Sequence, residues 1–406
     1  MMKAFPIILA AAMLAACGVQ KPVAGDAVSG RTGPLSAAVV RSEMERFPDA
    51  TCLDGLEGRL KWNYTTGLEL KAFLDVYCHC VPREESVLAY VDAWYDAVIS
   101  GDGTIYNYKK ENFSTDHVCP GRTLFLLYDL TGKAKYRAAM DVLYDQLQDQ
   151  PRTPEGGFWH KQVYPEQMWL DGLYMAQPFY AEYTARYVSD PAQRQRNFDD
   201  IVHQFETVWH YTYDKETGLL RHAWDSSHEM FWCDPATGQS AHAWGRALGW
   251  YCMALVDVIE ILPEGEGRAS LAALLRDLYD VLPRYADGET GMWYQVLDQP
   301  GREGNYVEAT ASAMFVYAHL KGIRLGVLDG LDGLDEARAD YSALLRTFVT
   351  EDDGLVNLHR CCEVAGLGGK QGRSGDYDYY INERVRDNDP KGIGPLIWAA
   401  LEYERL

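Results

Sequence analysis

Basic residues are in short supply in this 406-residue chain, where 38 Lys and Arg stand against 59 Asp and Glu for a net charge of −21. Such a field repels phosphate backbones and anionic headgroups, which excludes a nucleic-acid surface or adsorption on an anionic membrane face. An acidic substrate would need local Arg, Lys and His to offset the field. Nine cysteines are present (Cys17, Cys52, Cys78, Cys80, Cys119, Cys233, Cys252, Cys361 and Cys362), yet no CxxC pair or regular zinc-ligand spacing occurs among them, so no structural metal is expected. Long stretches of alternating polarity are missing too, which excludes an extended sheet. The apolar run Ala4 to Ala16 is too short to span a bilayer.

What is present is a globular composition, 47% hydrophobic, with 11 Trp and 27 Tyr against 12 Phe. Amphipathic rings in that proportion suit a sugar-binding cleft, and they suit a large helical core equally well. Lys3, the apolar run after it and Leu14-Ala15-Ala16-Cys17 have the pattern of a bacterial lipoprotein signal peptide with its lipobox. Cleavage before Cys17, lipidation of its thiol and attachment to a bacterial membrane, periplasmic or at the cell surface, are the expectation. Residues 1–16 are then the leader, and their loss takes away one lysine, leaving −22. The Gly, Pro, Ala and Ser of the next stretch make residues 17–35 a tether, and residues 36–406 remain as one domain.

An acidic or polar residue followed by Gly and then apolar or aromatic residues recurs six times, at Glu57-Gly58, Asp102-Gly103, Glu155-Gly156, Thr217-Gly218, Thr290-Gly291 and Asp353-Gly354. The interval, roughly 45 to 75 residues, is that of an elongated helix-pair repeat. Helical patterns occur in pairs between the signatures, as in Gly121 to Leu130 and Tyr136 to Gln148, joined by Thr131-Gly132-Lys133. Short β-like pieces such as Met292 to Val296 are candidates for small ribbons at the loops. Six pairs, each with one apolar and one more polar member, close most simply into an all-α (α/α)6 barrel, whereas an open solenoid exposes apolar faces at both ends. Closure gathers the loops that lead into the inner helices at one mouth.

Asp171 stands in the middle of Trp169-Leu170-Asp171-Gly172-Leu173-Tyr174-Met175, an apolar run in which a lone charge is costly. Either it is paired, as a cap on a helix starting near Pro165 or as the partner of a core Arg, or its raised proton affinity is used for proton donation. Other polar residues follow the signatures in the same way. Asp116 lies ahead of the helix expected from about Pro120, His160-Lys161 follow Gly156-Gly157-Phe158-Trp159, and His222 lies after Gly218. His242, Arg246 and Trp250 have the i, i+4, i+8 spacing of one helix face.

Gly157-Phe158-Trp159-His160-Lys161, Met168 to Phe179, His222-Ala223-Trp224-Asp225, Trp244-Gly245-Arg246-Ala247-Leu248-Gly249-Trp250 and the tail Cys362 to Gly369 together resemble the unsaturated glucuronyl and rhamnogalacturonyl hydrolases, glycoside hydrolase families 88 and 105, and family 105 more closely. The resemblance runs from about Arg46 to the C-terminus. It implies that Asp171 is the general acid/base, Asp116 a second essential carboxylate, and Tyr64, His160, Lys161, Trp169, His222, Trp244, Arg246 and Trp250 substrate-binding residues. It further implies removal of a 4,5-unsaturated uronic acid from the non-reducing end of lyase-generated oligosaccharides, by hydration of the C4=C5 bond and with no cofactor.

Each residue also has a plainer reading. Asp116 as a helix cap is compatible with raising the proton affinity of Asp171 by like charge. Arg246 has Asp225 and Asp234 as alternative partners, His160 and His222 are candidates for satisfied core histidines, and Trp244 and Trp250 for core aromatics. Gly366 to Gly375 is a lid or a plain surface loop, and Asp376, Tyr377, Tyr379 and Tyr380 are candidates for an outer rim around the leaving sugar. The reading adopted is a lipid-anchored hydrolase of unsaturated uronyl oligosaccharides from rhamnogalacturonan-type pectin. Its rivals are a relative acting on unsaturated glycosaminoglycan or ulvan-type uronides, and a non-catalytic glycan-binding lipoprotein.

Overall fold

The computed structural model describes residues 33–328 and 330–406. Cys17, the leader and most of the tether lie outside them. Twelve long helices carry the fold: α1 (Leu35–Arg46), α2 (Tyr64–His79), α3 (Glu85–Val98), α4 (Gly121–Thr131), α5 (Ala134–Gln148), α6 (Leu170–Tyr187), α7 (Pro191–Thr212), α8 (Gly245–Ile261), α9 (Glu266–Tyr279), α10 (Ala309–Arg324), α11 (Gly330–Phe348) and, after the short α12 (Tyr377–Ile381), α13 (Pro390–Arg405). The even-numbered helices α2 to α10 and α13 pack side by side in that order, and α13 returns to α2. Around them α3, α5, α7, α9 and α11 each cover the inner helix that precedes them, and α1 covers α13. This is the (α/α)6 barrel.

Inner and outer helices differ as their surroundings require. In α8 every residue from Gly245 to Ile259 is buried, because neighbours surround it. In α7 burial falls on Phe198, Ile201, Phe205 and Val208, three and four residues apart, which is one stripe of an amphipathic helix. The ring closes with the two ends of the domain: Ser36 donates from N and Oγ to the Glu404 carboxylate at 3.0 and 2.6 Å. Below the mouth, Asp257 on α8 accepts from Arg122 on α4 at 2.7 Å and from Lys321 and Tyr317 on α10 at 2.7 and 2.6 Å. Arg122 also lies over the Tyr174 ring of α6. One buried carboxylate thus ties four inner helices, and the cations hold it well below the usual carboxylate range against the effect of burial.

All six signatures precede inner helices. Their glycines, Gly58, Gly103, Gly156, Gly218, Gly291 and Gly354, share a left-handed backbone with φ between 75° and 91°. Antiparallel pairs flank five of these turns: Ile99 with Ile105, Arg152 with Phe158, Tyr213 with Leu220, Ala286 with Trp293, and the hairpin of β3 (Val349–Asp352) with β4 (Leu355–Leu358). The piece Met292 to Val296 forms isolated bridges, Trp293 with Ala286, Tyr294 with Val307 and Val296 with Trp244, in place of a ribbon.

Three local expectations are corrected. The helix of Asp171 starts at Leu170 and not near Pro165, because Gln167–Trp169 (β1) pairs antiparallel with Ala223–Asp225 (β2) and holds the preceding chain extended. Asp171 is therefore in the first turn of α6, at the positive end of the helix dipole. His242 lies in the loop before α8, so only Arg246 and Trp250 share its face. The domain begins one residue early, since Leu35 already opens α1.

The turns make a graded prediction. Gly354→Ala, with open space around the new methyl, should cost about 1–2 kcal/mol from the left-handed backbone. Gly103→Ala should cost distinctly more, because its Cβ would lie 2.5 Å from that of Ala138. Urea unfolding of both variants checks the order, and equal losses would mean that backbone strain alone governs these turns.

Candidate active site

The loops entering α2, α4, α6, α8 and α10 bring the polar residues together at the mouth. Asp116 sits in a one-turn 3-10 helix, Thr115–His117, which is docked on the third repeat: Thr115 N and Oγ1 donate to the His160 carbonyl at 3.1 and 3.0 Å. Its carboxylate contacts Lys161 Nζ, and His160 Nε2 lies 3.5 Å from Oδ1. It therefore caps no helix. Burial raises the proton affinity of Asp116, but Lys161 and His160 outweigh it and the net shift is downward. His160 is buried, with its ring 4.7 Å from that of Trp169 and nearly parallel to it. Burial first, and then Lys161, push its pKa down to about 4, so it is neutral near pH 7.

Asp171 Oδ2 lies 3.2 Å from His222 Nε2, and among the described residues neither atom has another partner. The Asp171 side chain keeps 15% exposure while Oδ2 is sealed, so the open oxygen is Oδ1. His222 is fully buried between Trp169 and Trp244, with Nδ1 2.7 Å from the Tyr380 hydroxyl. The proton affinity of Asp171 is lowered: burial acts to raise it, but His222, His160 and Arg246 prevail. This corrects the sequence expectation of a raised value. Asp116 does not supply the like charge expected of it, because Lys161 neutralises it.

Arg246, on the first turn of α8, donates to the Cys362 carbonyl and lies over the Trp244 ring at 4.5 Å. The Cys362 N–H donates to the buried Glu308 carboxylate at 2.8 Å, and Glu308 also caps α10 through Ala311 N. Asp225 and Asp234 are not its partners. Asp225 accepts backbone N–H groups of Ser227, Glu229 and Met230, and Asp234 those of Ala236 and Thr237. His242 pairs with Asp298 at 2.9 Å.

Tyr64 opens α2, with its ring edge toward Trp250 at 6.4 Å. Burial raises its phenol well above its ordinary range, and Arg246, Asp116 and Asp171 are all close enough to act on it. A cavity of about 360 Å³ opens from Tyr64 and Asp116 outward, walled by Lys61, Trp62, His117 and Arg386. Trp244 and Trp250 are each 1% exposed and form the backing of the site, not a platform that touches a ligand in this conformation. Trp250 lies between Tyr64 and Tyr174, and Trp244 between His222 and Tyr380.

Tyr380 and Tyr377, read as rim residues, are buried, and Asp376 caps α12 through Tyr379 N. The loop Gly366 to Gly375 is tied down at Arg373, which donates to the Tyr164 hydroxyl. Thr115, Glu308 and Gln295 were not singled out by sequence reasoning, and of these Thr115 carried a signal, its place beside Asp116. Cys362 opened the tail motif, but its hold on Arg246 could not be read there. The eight described cysteines are free thiols.

Comparison with known proteins gives this arrangement its place. The model of Glycosyl Hydrolase Family 88 matches residues 35–406. A family 105 glycoside hydrolase of C. acetobutylicum ATCC 824 is 42% identical, spans 92% of this chain and 100% of its own, and superposes with a TM-score of 0.86. A 24.9 kDa protein of the picA locus of Rhizobium radiobacter is 40% identical over 235 residues, 56% of this chain and 97% of that protein. The unsaturated rhamnogalacturonyl hydrolase YesR of Bacillus subtilis (strain 168) is 27% identical over 259 residues, 62% of this chain and 68% of that protein. With a barrel matched from Leu35 to its last residue, the chain is a glycoside hydrolase that belongs to family 88 and to the family 105 enzymes related to it.

Proposed function

We propose that the protein removes a 4,5-unsaturated uronic acid from the non-reducing end of lyase-generated oligosaccharides, acting exo, with rhamnogalacturonan-type pectin as their source. The observation that carries this reading is the inequality of the two carboxylates. Asp116 is locked against Lys161, whereas Asp171 is backed by His222 on one oxygen and open on the other. An ordinary glycosidic bond calls for two working carboxyl groups on either side of it. Hydration of an enol ether needs one, which protonates C4 and then takes a proton from the water that attacks C5. The hemiketal so formed opens and releases the next sugar. The likeness to the B. subtilis enzyme supports an unsaturated rhamnogalacturonyl substrate.

The free site holds Asp171 ionised, and the substrate supplies the correction. A uronate carboxylate drawn to Arg246 offsets the guanidinium that lowers the proton affinity of Asp171 and adds a negative charge beside it, so binding loads the acid with its proton. We further propose that the mature protein starts at Cys17 and works anchored to a bacterial membrane by lipid on that thiol, on the strength of Leu14-Ala15-Ala16-Cys17.

The enzyme should erase the ultraviolet absorbance of the conjugated enol ether in a rhamnogalacturonan lyase digest and leave the saturated analogue intact. Asp171→Asn should lower kcat about 10²- to 10⁴-fold with little change in KM. The alkaline limb should lie at higher pH for kcat than for kcat/KM, because kcat reports the substrate-loaded acid and kcat/KM the free one. Cleavage of saturated uronides, or near-normal turnover by Asp171→Asn, refutes the mechanism.

Arg246→Lys should lower kcat/KM at least about tenfold, roughly 1.4 kcal/mol, since a point charge replaces the planar fork. Full activity per folded molecule would confine Arg246 to holding the Cys362 peptide. Cys17→Ser should leave the barrel folded and move the protein from the detergent phase to the aqueous phase on partitioning, and unchanged partitioning would remove the anchor.

A further inference from the structure

Tyr380 stands on α12, in the long segment between the sixth signature and α13, yet its hydroxyl is buried against His222, 158 residues away. Its ring stacks on Trp244 at 5.9 Å, and its carbonyl accepts from Gln295 Nε2 at 3.1 Å, so both ring and backbone are held. Among the described residues the hydroxyl has one hydrogen-bond partner, His222 Nδ1 at 2.7 Å. The opposite edge of that imidazole presents Nε2 to the sealed oxygen of Asp171.

We propose that Tyr380 is a positioning residue: it fixes the tautomer of His222 and, through it, places the catalytic proton on Oδ1 of Asp171. The inference rests on the reading of Asp171 as proton donor. Were the Tyr380 hydroxyl to accept from Nδ1–H, its own buried proton would be left without an acceptor, so it donates to Nδ1. Nδ1 is then the acceptor, and the proton of the neutral imidazole must be on Nε2. Nε2–H faces Oδ2, so Oδ2 acts as acceptor and a protonated carboxyl carries its proton on Oδ1, the oxygen that is not sealed. In the opposite tautomer Nε2 would accept from Oδ2–H and hold the proton away from C4.

Nε2 and Oδ2 are 3.2 Å apart, and catalytic hydrogen bonds that are loose in a free enzyme tighten in its substrate complex. The proton leaves Oδ1 for C4, one from water returns to Oδ1, and the Nε2–H bond to Oδ2 stabilises the carboxylate in between. Nothing is transferred along Tyr380, whose burial keeps the phenol protonated.

The other charged and titratable groups around this line act on its charge without bonding to Nδ1. His160 faces both His222 and Asp171, Arg246 faces Asp171, and Tyr64 faces it from α2. Tyr379, Asp298 and Cys362 face Tyr380. The tautomer is therefore set by the one group that bonds Nδ1.

The decisive measurement is the ring-nitrogen 15N spectrum of the histidine-labelled, full-length protein at mildly alkaline pH, with His222 identified by the signal lost in His222→Gln. The wild type should show a neutral ring protonated at Nε2, and Tyr380→Phe a ring that is partly or wholly protonated at Nδ1. Tyr380→Phe should also lose kcat by about 10- to 100-fold, the usual cost of removing a group that orients a reacting one, with KM nearly unchanged. A wild-type ring that is Nδ1-protonated or cationic overturns the proposal, and that result needs no folded Tyr380→Phe. So does a folded Tyr380→Phe with an unchanged tautomer or full kcat. Turnover by Asp171→Asn would refute the donor assignment and leave the tautomer result standing, so the two failures are told apart.

Discussion

Closure of the inner ring is the constraint on which the rest depends. An inner helix such as α8, apolar on every side, is stable only when both ring neighbours and an outer helix cover it, and the last gap, over α13, is filled by α1 from the other end of the domain. Once the ring is closed, all inner helices start at the same end. Their six entry turns are thereby gathered into one mouth, and residues more than 200 positions apart become neighbours. The site is a by-product of that geometry.

Within the closed ring, charge is tolerated only where it is answered. Asp257 is met by Arg122 and Lys321, Asp116 by Lys161, and Arg246 by the Cys362 carbonyl with Glu308 behind it. Each is an ion taken out of water at substantial cost and retained because a partner restores most of its solvation. Asp171 is the exception. His222 meets one of its oxygens and the other is left open, so its protonation is free to follow whatever binds beside it. Inert and reactive carboxylates are separated here by how completely each is paired.

Much of the site was legible because its residues follow the turns. Asp116, His160, Lys161, Asp171 and His222 all lie shortly after a signature, and a turn with glycine in the left-handed region repeats its spelling wherever it is needed. What misled was the local reading of helix starts. Three strand residues, Gln167–Trp169, moved the start of α6, and the loop before α8 took His242 off its helix face. The pairing of β1 with β2 joins segments 56 positions apart on average, and such a partner has no local trace.

The sequence by itself determined the fold class, the six repeats and the carboxylates at issue, since periodicity, turn chemistry and an acid amid apolar residues are properties of neighbouring positions. Only the tertiary structure decided that α1 covers α13, that Lys161 occupies Asp116, that Glu308 and Cys362 hold Arg246, and that Tyr380 lies behind His222. It also reversed the direction of the proton-affinity shift at Asp171. A burial penalty can be foreseen from an apolar stretch, whereas the opposing Coulomb and hydrogen-bond contributions come from groups brought near by closure of the ring, and their sum exists only in three dimensions.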